Sequence, residues 1–154
     1  MAGRRGKRCP VAPISIAEMD AARVAPRLYQ GGLADFDRCR IAIAGVHLVV
    51  KLTGDENAVQ ILWPKLIEFP LEDDVSDLQY LPELKALAGR LARAVRRGDS
   101  VAIMCHQGRN RSGLLTGLTL QRLYRWSGQR IVKHLRRHRD GALEGGGGDD
   151  FADY

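Results

Sequence analysis

Apolar and polar residues follow two different periods along the chain, which predict where helices and strands lie. Over 81–97 the apolar positions have the i, i+3, i+4, i+7 spacing of an amphipathic helix. Residues 114–126 are apolar on nearly every side, which predicts a buried helix, and a last, basic helix is predicted over about 128–140. A further helix is predicted over 34–44, with Gly45 at its C-terminal end.

Short runs of β-branched and other apolar residues predict the strands. They lie at 26–32, where the strand runs into a glycine turn, at 46–52 and at 66–71. Residues 100–105 are apolar along both faces, as expected for a strand in the middle of a covered parallel sheet. Because strands alternate with helical segments, we predict an α/β domain in which a central, mainly parallel sheet is flanked by helices.

Length and composition limit the domain organisation. A chain of 154 residues with 45% apolar and 27% charged residues is typical of one soluble globular domain. We predict a flexible basic tail over 1–12, the folded domain over 13–143 and a flexible, glycine-rich acidic tail over 144–154. No stretch reaches the ~18 apolar residues of a membrane helix, and the N-terminus lacks the apolar core of a secretory signal. We therefore expect a cytoplasmic protein without stable membrane insertion.

The chain has three cysteines, Cys9, Cys39 and Cys105. Their odd number and the absence of a Cys-x-x-Cys pair argue against a disulfide framework. Cys39 is predicted to lie in the core and Cys9 to have no role in the tail. None of the four histidines stands at metal-ligand spacing beside a cysteine pair or a carboxylate, so no metal ion or other cofactor is expected.

The net charge of +6 is concentrated near the N-terminus and in the C-terminal third of the chain. A basic surface raises the local concentration of anionic partners such as phosphoproteins, nucleic acid or lipid headgroups. The same residues are also explained as solvated helix faces, and the sequence leaves both interpretations open.

The segment from Cys105 to Gly113 joins the most apolar strand to the buried helix, the place where parallel α/β sheets bind ligands. Backbone N–H groups of a loop that enters a helix attract anions, and Arg111 adds a planar fork that can hold two phosphate oxygens. The same donors stabilise Cys105 as a thiolate. The loop therefore predicts a thiolate directed at phosphorus. The candidate substrate-binding residues are His106, Gln107, Gly108, Arg109, Asn110 and Arg111.

Cys-x5-Arg-Ser between a strand and a helix resembles the signature loop of the protein tyrosine phosphatase superfamily, in its small dual-specificity branch. Residues 27–32 and 49–53 resemble the opening strands of that branch, and 69–74 resembles the segment with its general acid. The resemblance covers roughly residues 26–143. It implies a dual-specificity phosphatase-like fold and a two-step, metal-free hydrolysis of phosphomonoesters through a thiophosphate on Cys105.

The resemblance also implies roles for single residues. Arg111 and the loop amides would hold the phosphate, and Ser112 would help to expel the thiolate. The general acid would be Asp73 or Asp74, of which Asp73 matches the family pattern better. Asp77 is better explained as a helix cap and Glu72 as a solvated loop charge. Met104 departs from the family, which usually has a histidine before the nucleophile.

Several functions remain open at this point. The first is a phosphatase for phosphorylated proteins, with phosphotyrosine as the favoured substrate. The second is the same chemistry on a phosphoinositide or on an RNA or nucleotide phosphate, which Arg109 and the basic C-terminal helix favour. The third is a phosphate-binding module without turnover, against which Cys105 and Arg111 both argue. The basic surface also leaves anionic lipid or RNA open as partners.

Overall fold

The computed structural model describes residues 9–54 and 58–143, in which a five-stranded sheet lies between helices and a smaller sheet. The strands are β1 (Ile14–Ser15), β2 (Ala21–Ala25), β3 (Leu28–Gly32), β4 (Arg40–Ala44), β5 (Leu48–Lys51), β6 (Gln60–Trp63), β7 (Lys65–Glu68) and β8 (Val101–Cys105). The helices are α1 (Leu81–Arg96), α2 (Arg111–Tyr124) and α3 (Gly128–His138). Short 3-10 helices span Ile16–Glu18, Ala34–Phe36 and Val75–Tyr80.

The large sheet has the strand order β2-β3-β8-β5-β7. All of its neighbours run parallel except β2, which pairs antiparallel with β3. The small sheet has the order β1-β4-β6 with parallel pairing. The predicted α/β fold with a mainly parallel central sheet is confirmed.

Strand β8 lies at the centre of the large sheet and is buried along its whole length. Because successive side chains of a strand point to opposite faces, Ile103 and Cys105 pack on the helical side. Met104 packs on the other side, among the isoleucines of the small sheet, and is fully buried. The helices α1, α2 and α3 all contribute to the core on the first side, whereas the small sheet covers the second.

The predicted helices over 81–97, 114–126 and 128–140 are confirmed, with ends that shift by up to three residues. The predicted helix over 34–44 is wrong, because only Ala34–Phe36 is helical and Arg40–Ala44 forms β4. Ile41 and Ile43 alternate with less buried residues, which is the period of a strand, and both pack against the large sheet. Gly45 occupies the turn to β5 with φ +94°. The sequence analysis predicts no strand at the positions of β1, β2 and β6.

Cys9 and Cys39 form a disulfide with a Cα–Cα distance of 5.3 Å, so the prediction of unpaired cysteines is wrong for these two. The buried position of Cys39 is confirmed. Within the described part of the chain, Cys105 is the free cysteine. Disulfides are typical of oxidising compartments, so this disulfide gives no support to the predicted cytoplasmic location. That location stays a prediction. Of the tail predicted over 1–12, residues 1–8 lie outside the described residues, and so does the whole tail predicted over 144–154.

None of the helices in the described part of the chain combines the length and the apolar composition needed to cross a membrane.

Candidate active site

Cys105 is the last residue of β8 and Arg111 is the first residue of α2, so the loop between them lies at the carboxyl edge of the sheet. A pocket of about 220 Å³ opens over this loop. Its lining residues are Asp73, Cys105, Gln107, Arg109, Asn110, Arg111 and Gly141. Cys105 itself is only 2% exposed. The sulfur therefore lies at the floor of the pocket, where a ligand rather than bulk solvent reaches it.

Two groups of the loop contact the sulfur. The backbone N–H of Gly108 donates to Cys105 Sγ at 3.1 Å, and Ser112 Oγ lies 3.3 Å from the same atom. In the structure the thiol donates to the Ser112 hydroxyl oxygen, whereas the Gly108 N–H points at the sulfur and favours a negative charge there. Gly108 has φ +72°, and a Cβ at this position would stand 2.6 Å from the backbone nitrogen of Gly32. A residue with a side chain would therefore move the loop away from the sulfur.

Gln30 and Arg139 hold the loop from behind by binding its carbonyl groups. Gln30 Nε2 donates to the carbonyls of Gly108 and Arg109, each at 3.2 Å. The Arg139 guanidinium donates to the carbonyl of Gln107 at 2.8 Å and to the carbonyl of Gly108. The N–H and C=O of a trans peptide point in opposite directions. Since the Gln107 carbonyl points towards Arg139, the N–H of the same peptide, that of Gly108, points at the sulfur.

Asp20 fixes the Arg139 guanidinium through two hydrogen bonds of 2.8 Å each. The hydrogen bond from Arg139, with the positive charges of Arg139 and Arg109, lowers the pKa of Asp20 against the opposing effect of partial burial. A lowered carboxyl pKa means that the ion pair adds stability at neutral pH. That stability is lost as the pH falls from about 3.8 through the lowered pKa.

Arg111 connects the loop with the acidic segment across the pocket. Its side chain is 7% exposed, and Nη1 donates to the carbonyl of Leu71 at 3.2 Å. Leu71 directly precedes the predicted acidic loop. The guanidinium therefore lies between the segment that carries the thiol and the segment that carries the candidate acids.

The acidic loop is organised around Asp77. The Asp77 carboxylate is buried and accepts the backbone N–H groups of Glu72, Asp73 and Asp74 at 2.7–3.3 Å. Asp77 also completes a capping box with Asp74, which is the N-cap of the 3-10 helix at 75–80. This agrees with the interpretation of Asp77 as a cap. The two candidate acids are separated by this arrangement: Asp74 is used by the helix, while Asp73 lines the pocket with φ +62°.

The remaining predicted site residues divide into two groups. Gln107, Arg109 and Asn110 line the pocket. The His106 side chain points instead towards Asp37, with 3.4 Å between Nε2 and the carboxylate. Met104 stands where the family usually has a histidine. Its side chain packs against the small sheet.

Sequence reasoning missed Gln30 and Arg139 as parts of the site. Gln30 was read only as part of a strand, and Arg139 was grouped with the basic surface charges of the last helix. One signal was present for Gln30, which is a buried polar residue inside an otherwise apolar and glycine segment. Arg139 had no comparable signal, because its contact with the loop depends on how α3 packs.

The geometry can bind a tetrahedral oxyanion. The inward N–H of Gly108, the Arg111 guanidinium and the Cys105 sulfur meet at one pocket, which Asp73 also lines. A phosphate group in this pocket would present its phosphorus to the sulfur and its ester oxygen to the carboxyl group.

Comparisons with known proteins show which proteins this geometry resembles. No family model matches the chain. The chain is 30% identical over 122 residues to human dual specificity phosphatase 28, which covers 79% of this chain and 65% of that protein. A single-substitution variant of the same human protein has a crystal structure with TM-score 0.69 and 23% identity, covering 86% of this chain and 94% of the other.

Two other solved structures have the same fold. A mouse putative dual specificity phosphatase, crystallised with zinc tungstate, has TM-score 0.69 and 24% identity, covering 96% of this chain and 89% of the other. A human tyrosine phosphatase-like serine/threonine/tyrosine-interacting protein has TM-score 0.62 and 11% identity, covering 86% of this chain and 91% of the other.

Proposed function

We propose that the chain is a small, dual-specificity-like member of the protein tyrosine phosphatase superfamily and acts as a cysteine-dependent phosphatase of phosphorylated proteins; the likeness to dual specificity phosphatases supports this. The chain spans 65% of the length of its curated relative, so the activity is argued from its own site. The observation that carries the proposal is the sulfur of Cys105, at the floor of a pocket that Arg111 and Asp73 line.

In the first step the Cys105 thiolate attacks phosphorus, a sulfur–phosphorus bond forms and the bond to the ester oxygen breaks. The loop amides and Arg111 bind the equatorial oxygens, where negative charge is spread in the transition state. Asp73 gives its proton to the leaving oxygen, so that the leaving group departs as a neutral alcohol or phenol.

In the second step water attacks the phosphocysteine. The Asp73 carboxylate takes a proton from this water, the sulfur–phosphorus bond breaks, and inorganic phosphate is released. The departing thiolate accepts hydrogen bonds from the Ser112 hydroxyl, 3.3 Å away, and from the Gly108 N–H, 3.1 Å away. Both donors lower the energy of the leaving thiolate.

A phosphorylated protein is the favoured substrate. The human relative is named as a dual specificity phosphatase, and the mouse protein of the same fold as a putative one. The mouse relative was crystallised with tungstate, a tetrahedral oxyanion like phosphate, which supports oxyanion binding in this fold. Phosphoinositide and RNA or nucleotide phosphates remain alternatives for the same chemistry. A module that binds phosphate without turnover is less favoured, because Cys105 and Arg111 are both present in the pocket.

Hydrolysis of p-nitrophenyl phosphate tests the proposal directly. We expect vanadate to inhibit turnover, because its trigonal form resembles the transition state at phosphorus. We expect EDTA to leave turnover unchanged. Phosphotyrosine peptides, phosphoinositides and RNA 5′ ends, assayed in parallel, rank the substrate classes. Loss of turnover in EDTA would show a metal-dependent enzyme, and absence of any turnover would leave only phosphate binding.

Arg139→Gln should weaken inhibition by inorganic phosphate about tenfold, because the loop loses charged hydrogen bonds that turn its amides inward. The measurement is the inhibition constant of phosphate against p-nitrophenyl phosphate, which does not depend on the fraction of folded enzyme. The inhibition constant of Arg139→Lys should lie between those of wild type and Arg139→Gln. Arg137→Gln is the matched control, since Arg137 is an exposed residue of the same helix. Equal constants for Arg139→Gln and wild type would show that the loop holds itself.

A further inference from the structure

A groove along α3 carries positive charge that the proposed catalysis does not use. The groove has a volume of about 490 Å³. Its lining residues are Trp126, Ser127, Gln129, Arg130, Lys133, His134 and Arg137. Arg130, Lys133 and Arg137 are three and four residues apart, so they share one exposed face of the helix. This surface is called the α3 groove below.

The positive charges of the α3 groove are not compensated within the described part of the chain. No carboxylate lines the groove there. No aspartate or glutamate of residues 9–54 and 58–143 lies within ion-pair distance of Arg130, Lys133 or Arg137. A concave surface with one sign of charge concentrates partners of the opposite sign. The α3 groove therefore suits an anionic partner.

Contacts of Trp126 fix the shape of the groove. Tyr124 stacks on the Trp126 ring at 5.0 Å, and the Arg130 guanidinium lies over the ring at 4.2 Å. His134 meets the ring edge-on and donates its Nε2–H to the carbonyl of Val24 at 2.6 Å. Nucleic-acid sites use aromatic rings that are open for base stacking. Because Trp126 is engaged by protein groups, the groove does not favour RNA.

The buried face of α3 argues against a lipid surface. Ile131, Val132 and Leu135 are at most 7% exposed and belong to the core on the helical side. A helix that lies on a membrane needs a free apolar face to insert between the lipids, and α3 has used its apolar face for packing. An acidic protein segment is the anionic partner that remains.

The groove lies within reach of the catalytic pocket. α3 ends at His138, and the next residue, Arg139, contacts the phosphate-binding loop. From Arg130 to Arg137 the helix advances about 10 Å at ~1.5 Å per residue. Arg137 lines the groove and Gly141, four residues later, lines the catalytic pocket, so these two lining residues are at most about 14 Å apart. An extended segment of about ten residues spans roughly 33 Å, which is long enough for one substrate segment to contact both.

We propose that the α3 groove is a docking site for an acidic segment of the phosphoprotein substrate. The proposal rests on the proposed phosphatase function and names its substrate class: phosphorylated residues that have a run of acidic residues nearby in the sequence. The three basic side chains contribute mainly to substrate capture and not to the chemical step, because none of them lines the catalytic pocket.

The test compares two phosphotyrosine peptides that differ only in a flanking run of glutamates or glutamines. In a variant with Arg130→Gln, Lys133→Gln and Arg137→Gln, we expect the KM for the glutamate peptide to rise about tenfold at low salt. We expect kcat, the KM for the glutamine peptide and turnover of p-nitrophenyl phosphate to stay within about twofold. The difference should vanish near 1 M salt, where the Debye length is about 3 Å.

A matched control carries Arg90→Gln, Arg93→Gln and Arg97→Gln, which remove the same charge from two exposed positions of α1 and from the exposed residue that caps its C-terminal end. This helix packs on α2, away from the groove. A KM for the glutamate peptide that is unchanged in the groove variant, or that rises equally in the control, would overturn the proposal. The proposal would also be overturned if the groove variant lost binding to RNA or to phosphatidylserine vesicles while its peptide kinetics stayed unchanged.

Direct binding separates this proposal from the phosphatase proposal. Titration of wild type and both variants with an unphosphorylated glutamate peptide measures docking without turnover. Weaker binding in the groove variant alone would support docking even if wild type hydrolysed nothing. Equal binding by all three proteins would overturn docking and leave the phosphatase proposal intact.

Discussion

Replacing Cys105 with serine should lower kcat for p-nitrophenyl phosphate on the order of 10⁵-fold, because the hydroxyl is a far weaker nucleophile than the thiolate. Phosphate should still bind, since Arg111 lines the pocket and Gln30 and Arg139 hold the loop in both proteins. Steady-state kinetics give the first result, and calorimetric titration with phosphate gives the second. Mass spectrometry of acid-quenched wild type should detect a phosphoryl group on Cys105, and the variant should show none.

The disulfide supplies a matched control for this substitution. A Cys9→Ser, Cys39→Ser double variant undergoes the same atomic change twice, at sites that do not line the pocket. It should keep wild-type kcat at temperatures where it remains folded, although loss of a disulfide costs about 2–4 kcal/mol of stability. Full activity in Cys105→Ser would end the thiophosphate mechanism.

Replacing Asp73 with asparagine should lower kcat about 10²–10⁴-fold for substrates with poor leaving groups, such as phosphotyrosine. The loss should be smaller for p-nitrophenyl phosphate, because p-nitrophenolate leaves without a proton. Steady-state kcat of wild type and Asp73→Asn, measured with a phosphotyrosine peptide and with p-nitrophenyl phosphate, gives the comparison.

Asp74→Asn is the control for this prediction. Asp74 caps the 3-10 helix at 75–80, and asparagine is as good an N-cap residue as aspartate. We expect kcat of Asp74→Asn to stay within about threefold of wild type for phosphotyrosine, since a cap acts on stability rather than on proton transfer. The opposite ranking of the two variants would exchange their roles.

Prediction from sequence succeeded where local pattern and final environment agree. In the buried strand 101–105 and in the amphipathic α1, the apolar residues of the sequence are the ones that are buried in the structure. The failed helix over 34–44 lies where short polar and apolar stretches fit both periods, and packing against the large sheet selected the strand β4. Strand β2 is similar, because it is held by pairing with β3 more than by its own apolar residues.

The candidate site shows the same division. The thiol and the guanidinium are joined by one short loop, so their proximity follows from covalent spacing and from the strand and helix that flank the loop. The choice of Asp74 rather than Asp73 as the cap of the following 3-10 helix supports the proposal of Asp73 as the acid. That choice is not visible in a sequence of two adjacent aspartates.

The sequence by itself determined the α/β class and the strand–loop–helix unit and predicted the chemistry of its loop, because these depend on residue type and short-range spacing. Tertiary structure alone decided which distant residues support that loop. Gln30 and Arg139 bind its carbonyls, Asp20 fixes Arg139, and Cys9 pairs with Cys39. Hydrogen bonds and disulfides between distant residues form only after packing has brought their partners within bonding distance, and no local period in the sequence records that distance.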